Sequence, residues 1–274
     1  MNPAGLALLG VLVGAFGTLI GAGGGFVLVP VLLLLYPKDS PALVTGISLA
    51  VVCLNAASGS FAYSRMRRVD FRSGWMFAAA TIPGAVLGAM ATARIPRRSF
   101  DLLFGVLLLL GSLYLLWRPL RRDGGEGHAT GSFARQLTER DGTVHRWSYE
   151  PWLGIAISVF VGFASSVLGI GGGIIHVPVL TQVLGFPVHV ATATSHFVLA
   201  VMALAGTIVH LSNGELLPGL GRVAAIGAGV LVGAQIGAAL SKRVGGVWIM
   251  RSLALALGLV GVRILLLALQ TGTP

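Results

Sequence analysis

Apolar side chains fill the chain in long blocks, and polar residues fall in short clusters between them. The blocks run over about residues 4–36, 41–63, 74–93, 100–117, 151–184, 187–211, 217–240 and 247–269. One crossing of the hydrocarbon takes roughly 20 residues of helix, so six blocks suit a single passage each. The first and fifth are too long for one passage. Each also holds a glycine cluster followed by proline, which a continuous helix tolerates poorly. The pattern predicts a helix break in both, with a shorter arm on either side.

The first cluster is Gly21-Ala22-Gly23-Gly24-Gly25 with Pro30, and the second is Gly169-Ile170-Gly171-Gly172-Gly173 with Pro178, at an offset of 148 residues. The repetition extends further. Thr45-Gly46-Ile47-Ser48 aligns with Thr192-Ala193-Thr194-Ser195, and Gly59 with Gly206, at offset 147. The stretch from Gly84 to Ala89 aligns with that from Gly229 to Ala234 at offset 145. The expected fold is therefore an all-α polytopic membrane protein of two homologous four-segment halves, residues 1–118 and 151–274. The first segment of each half is broken or re-entrant. Residues 119–150 form a polar linker, in which Asp141-Gly142 between Arg135-Gln136-Leu137-Thr138 and Thr143-Val144-His145-Arg146-Trp147 has the form of a small hairpin.

Two orientations of the halves are open. If each split segment returns to its starting side, three crossings remain per half and the second half is inverted; if it crosses once, the halves run parallel. With the loop of Arg65, Arg67 and Arg68 in the cytoplasm, the inverted arrangement also places the linker, Lys242 and Arg243 there. The parallel arrangement puts Lys242 and Arg243 outside. Arg94, Arg97 and Arg98 fall outside in both, so the charge pattern favours inversion without being uniform.

Composition agrees with the membrane reading: mean hydropathy is +0.88, with 55% hydrophobic and only 10% charged residues among 274. Soluble domains carry about 25% charged residues. The net charge of +10 resides in clusters between apolar blocks, which is the signature of topology rather than of nucleic-acid binding. The partners expected are the lipid bilayer and a small anionic substrate, with a homodimer left open. The single cysteine, Cys53, forms no internal disulfide, and no basic side chain precedes the first apolar block, so that block is expected to be a membrane segment rather than a cleaved signal.

A break inside hydrocarbon frees backbone N–H and C=O groups, which must be satisfied by protein or by a watery cavity. The arm that starts after each cluster aims its first N–H groups and a partial positive charge at the break, a setting that suits an anion. Paired breaks in corresponding positions point to the binding site of a secondary transporter. The backbone donors expected are Gly23, Gly24, Gly25, Gly171, Gly172 and Gly173, although the same glycines also serve close helix packing. Thr45, Ser48, Thr192, Thr194 and Ser195 could line the same cavity, or bond the preceding turn of their own helices. Among the histidines, His196 beside Ser195 is the strongest candidate, with His176 and His210 weaker. Asn55 and Gln235 are amides in apolar helices, suited first to interhelical bonding. Arg263 is a minor candidate for attracting substrate. No Asp or Glu lies mid-segment, which argues against a cation site or a carboxylate proton relay. No metal site and no cofactor are expected.

In these motifs, the two glycine clusters with Pro30 and Pro178, Thr45 to Ser48, Thr192 to Ser195, and Pro83-Gly84-Ala85-Val86-Leu87-Gly88, the chain resembles the TauE/SafE family of sulfite exporters and related anion permeases. The resemblance implies an inner-membrane permease of bacteria for sulfite, sulfonates or other organosulfur anions. One departure from two-fold symmetry is already visible: His176 corresponds to Leu28. Two rivals remain, an anion channel with the same site and an intramembrane enzyme using Cys53 or Ser195 with a histidine. Ser195 and His196 are helix neighbours that do not face one another, so the chain is not expected to be an enzyme.

Overall fold

The computed structural model describes residues 2–117, 131–241, 243–244 and 246–270. Arg118, residues 119–130 of the linker and Lys242 lie outside them. Helix α1 spans Pro3–Ile20, capped by Asn2, whose side chain accepts from the Gly5 N–H at 2.8 Å. It stops at Gly21, and α2 (Gly25–Leu35) begins after Gly24. Then come α3 (Pro41–Arg65), α4 (Phe71–Thr92) and α5 (Arg97–Trp117). Pro41 occupies the first helical position of α3, where its missing N–H is no loss, and Ser40 caps the helix through the Leu43 N–H at 3.2 Å.

The hairpin expected in the linker is present. Strands β1 (Phe133–Thr138) and β2 (Val144–Tyr149) pair antiparallel with Thr138 opposite Val144, and Gly142 takes φ +92° in the turn. The second half repeats the first: α6 (Pro151–Leu168), a short α7 (Gly173–Pro178) continued by a π turn over Val179–Val183, α8 (Val188–Ser212), α9 (Leu220–Leu240) and α10 (Gly246–Gln270). Among the described residues, seven helical stretches are long and apolar enough to cross a membrane: α1, α3, α4, α5, α6, α8 and Leu217–Leu240 containing α9.

Helix directions follow from what touches what. Gly46 of α3 lies against His210 of α8 and Gly59 against His196, so α3 and α8 are antiparallel. The pair α5 and α10 is antiparallel too: Gly105 meets Leu265, while the Ser112 hydroxyl donates to the Ala254 carbonyl at 2.7 Å. By contrast α1 runs parallel to α9 (Gly10 at Ile226, Ala15 at Gly237), and α4 parallel to α6 (Gly84 at Val159, Gly88 at Phe163). These parallel contacts are backbone to backbone. A β-carbon on Gly84 would stand 2.1 Å from the Val159 carbonyl oxygen, and one on Gly229 would stand 2.0 Å from that of Ala7. Glycines spaced four apart, Gly84 and Gly88 on one helix and Gly229, Gly233 and Gly237 on the other, allow this approach where lipid supplies no hydrophobic drive. The repeat at offset 145 is thus a packing device.

The broken segments fold back. Tyr36, just after α2, has its ring 4.3 Å from the Arg222 guanidinium, and Asp39 pairs with Arg222 at 2.5 Å. Arg222 begins α9, and α9 is parallel to α1, so α2 delivers the chain to the end at which α1 starts. In the second half Leu184 reaches Gly154, and the Phe186 ring lies 5.1 Å from that of Tyr149, beside the start of α6.

The hairpin docks at the other end of the bundle. Arg135 grips Asp70 through Nε and Nη2 (3.1 and 2.5 Å), and the Tyr149 hydroxyl meets that of Ser73 at 2.6 Å. Burial, offset only partly by that bond, pushes the Tyr149 phenol up to about 12. Trp147 and Tyr149 pack on Phe186, and Tyr149 also reaches Phe77. Four exposed tryptophans, Trp75, Trp117, Trp152 and Trp248, ring this same end, as residues of a membrane–water interface do.

Candidate functional site

The two breaks meet at the centre of the bundle. Each uses three glycines in the left-handed region: Gly21, Gly23 and Gly24 at φ +83°, +75° and +85°, and Gly169, Gly171 and Gly172 at +68°, +80° and +75°. All six match at the offset of 148, which explains why glycine itself recurs there, since other residues pay a steric penalty at such φ. The next glycine of each cluster is needed for space. A β-carbon on Gly25 would lie 2.7 Å from the Gly169 carbonyl oxygen, and one on Gly173 would lie 2.1 Å from that of Gly21. The start of α2 therefore abuts the end of α6, and the start of α7 abuts the end of α1.

Four helix ends of mixed polarity converge here, and two serines alter the balance. The Ser48 hydroxyl donates to the Gly169 carbonyl at 2.5 Å, and that of Ser195 to the Gly21 carbonyl at 3.4 Å. With these C-terminal carbonyls engaged, the first N–H groups of α2 and α7 are the free backbone donors at the breaks. Among the described residues, the N–H groups of Gly24, Gly25, Phe26, Gly171, Gly172 and Ile174 meet no acceptor. Those of Gly23 and Gly173 turn inward instead, to the carbonyls of Gly17 (3.1 Å) and Gly171 (3.0 Å).

The other expected residues divide. Asn55 is fully buried, donates to the Gly23 carbonyl at 3.1 Å and accepts from the Thr18 hydroxyl at 3.2 Å. His196 Nε2 lies 3.2 Å from the same hydroxyl. Thr192 packs on Gly21 with its hydroxyl buried and unpartnered. Thr45 packs on Gly169, yet its hydroxyl bonds the Pro41 and Ala42 carbonyls of its own helix (2.9 and 3.1 Å). Thr194 turns away from the break and accepts from the Asp70 N–H at 3.0 Å. His176, on α7, has Ser158 at 3.4 Å and the Phe77 ring at its edge. His210 pairs at 2.6 Å with Glu215, in the loop that follows α8. Gln235 ties α9 to the backbone and hydroxyl of Ser58 (2.9 and 2.8 Å) on an exposed face. Arg263 is exposed on α10.

Two contributors escaped the sequence reading. Thr18 joins Asn55 and His196, and the Tyr63 hydroxyl donates to the Thr18 carbonyl at 2.8 Å. The repeat held the signal, because Thr18 aligns with Ser166 at offset 148. The polar cluster is nonetheless one-sided: the counterparts of Asn55 and His196 at offset 147 are Met202 and Leu49.

The profile of the sulfite exporter TauE/SafE family matches residues 6–264. The chain belongs to the TauE/SafE family. A probable membrane transporter protein of Bacillus subtilis, YunE, is 31% identical over 268 residues, covering 95% of this chain and 96% of its own. A probable membrane transporter protein of Xylella fastidiosa is 30% identical over 199 residues (73% and 70%), and one of Methanocaldococcus jannaschii 26% over 212 (76% and 72%). No solved structure matches the chain. As a TauE/SafE member with several membrane-long helical stretches, the protein is a multi-pass membrane transporter and not an enzyme.

Proposed function

We propose that the protein moves a small sulfur-containing oxyanion, sulfite or a sulfonate, across the bacterial inner membrane by alternating access around the two meeting breaks. The observation that carries this reading is the convergence of the α2 and α7 N-termini, with the opposing carbonyls of Gly21 and Gly169 held by Ser195 and Ser48. Half-helix N-termini with free N–H groups, one from each half, offset the desolvation of an anion held between them. Asn55, Thr18, Thr192 and His196 supply further polar groups at the same level.

The halves are inverted repeats in this account. Helices of equivalent position run antiparallel in both α3 with α8 and α5 with α10, as expected of halves related by an axis in the membrane plane. The linker end faces the cytoplasm: Arg65, Arg67, Arg68, Arg72, Arg135, Arg140, Arg146 and Arg243 gather there. At the opposite end Arg97 is paired with Asp101 at 3.0 Å and Arg222 with Asp39, while Arg94 and Arg98 form no ion pair among the described residues, so the bias toward the linker end is one of number rather than exclusion.

The site is tested by sulfite affinity in Gly24→Leu, Gly172→Leu, Asn55→Leu and Thr192→Val proteins that remain folded. Weakened binding in all four is expected. Unchanged affinity in folded variants would remove the breaks as the site.

A further inference from the structure

The hairpin is fastened by charge to the turn between α3 and α4 at the linker end of the bundle. Arg68, in the turn between α3 and α4, is 8% exposed, and its Nε donates to Glu139 Oε2 at 2.5 Å. Glu139, at the end of β1 and 6% exposed, holds His145 Nε2 on its other oxygen at 2.9 Å. The Arg140 N–H donates to the Met66 carbonyl at 3.0 Å. The hairpin turn thus sits directly over Arg68.

Arg68 is not satisfied by this arrangement. Its Nη1 is buried with no hydrogen-bond partner among the described residues, an unusual state for a guanidinium, whose five N–H donors form a planar fork suited to two oxygens at once. It also stands at the end of a polar line that starts at the break. Asn55 and Tyr63 lie two turns apart on one face of α3 and both bond Thr18, and the Tyr63 carbonyl accepts from the Arg68 N–H at 3.2 Å. The neighbouring Asp70 N–H donates to Thr194, one residue before the Ser195 that covers the Gly21 carbonyl.

We propose that Arg68 is an oxyanion-binding residue at the linker end of the transport path, and that the Glu139 carboxylate occupies it as an internal competitor. Hairpin docking and substrate binding at Arg68 then exclude one another, and the hairpin is a plug released by the anion itself. A carboxylate and a small sulfur oxyanion offer the fork the same pair of acceptor oxygens. The inference rests on the anion-transport reading above.

The test uses the full chain in proteoliposomes with sulfite as the probe. Glu139→Gln frees Arg68 from its competitor, so the KM for sulfite falls several-fold. Arg68→Gln removes the site, so KM rises about tenfold or more, the scale of losing a hydrogen bond to a charged group. Arg68→Lys, which keeps the charge, lies between, and with Glu139→Gln it decides the matter should Arg68→Gln not fold. A merely structural ion pair shifts KM the same way for both partners, and that outcome would overturn the proposal. Hydrogen exchange of residues 133–149 separates this idea from the substrate assignment. Sulfite, thiosulfate or sulfate, compared with chloride at equal ionic strength, should speed exchange in the wild type and not in Arg68→Gln. If the wild type moves no sulfite, the substrate reading falls, while an oxyanion-specific release of the hairpin still upholds the plug; a response no different from chloride ends it.

Discussion

The Ser48 hydroxyl, on α3 in the first half, donates a 2.5 Å hydrogen bond to the carbonyl of Gly169, the residue that ends α6 in the second. Ser195 makes the reciprocal bond to Gly21 at 3.4 Å. Each half thus supplies the hydroxyl that quiets a carbonyl of the other's break. Ser48→Ala leaves a buried carbonyl unpaired and should lower stability by about 1–2 kcal/mol. The longer bond predicts a smaller effect for Ser195→Ala. Thermal unfolding in detergent checks the order of the two.

Gly25→Ala and Gly173→Ala place a β-carbon 2.7 and 2.1 Å from the carbonyl oxygens of Gly169 and Gly21. At both sites only backbone can yield, so both should separate the breaks and cut transport sharply, with Gly173→Ala the more severe because its approach is the closer. Gly221→Ala, whose β-carbon meets nothing within 4 Å, should be near neutral. Flux assays on the three proteins at matched expression settle the ranking.

The one-sided polar cluster predicts unequal halves. Asn55→Met copies its counterpart Met202 and removes the bonds to Gly23 and Thr18, so sulfite affinity should fall about tenfold with the loss of one buried bonded amide. Met202→Leu should change it little. Equal effects from the two substitutions would contradict a site centred on Thr18, Asn55 and His196.

Docking of the hairpin should depend on pH through Glu139. Burial alone would raise its carboxyl, but hydrogen bonds from His145 and Arg68, with their charges, outweigh that and hold it below the ordinary carboxylate range. A depressed folded value means that the stabilisation is present above the unfolded pKa of about 4.3 and is lost as pH falls through the folded one. Hydrogen exchange at residues 133–149, corrected for intrinsic rate, should therefore rise only under acid conditions, and Glu139→Gln should remove Glu139's share of that rise.

Much of this fold is legible in the sequence because its main determinants are local. The apolar blocks, the caps at Asn2 and Ser40, and the glycines at positive φ all act within a few residues. The hairpin is legible for the same reason, through Asp141-Gly142. The site is less so. Ser48 and Ser195 show themselves only through repetition, and nothing local distinguishes Thr45, whose hydroxyl closes on its own helix, from Thr192, whose hydroxyl stays unpaired at Gly21. Thr18 hides among apolar neighbours until α3 and α8 are brought against α1. The pairing of Arg68 with Glu139 depends on how the chain returns, which spacing does not encode.

The most direct test of the account is sulfite flux in proteoliposomes, with membrane potential and pH gradient set independently and with sulfonates, thiosulfate and sulfate as competitors. The account predicts saturable sulfite flux that responds to one gradient and is cut sharply in Gly25→Ala and Gly173→Ala. Absence of flux or competition by any sulfur oxyanion, from protein shown to be folded, would contradict it.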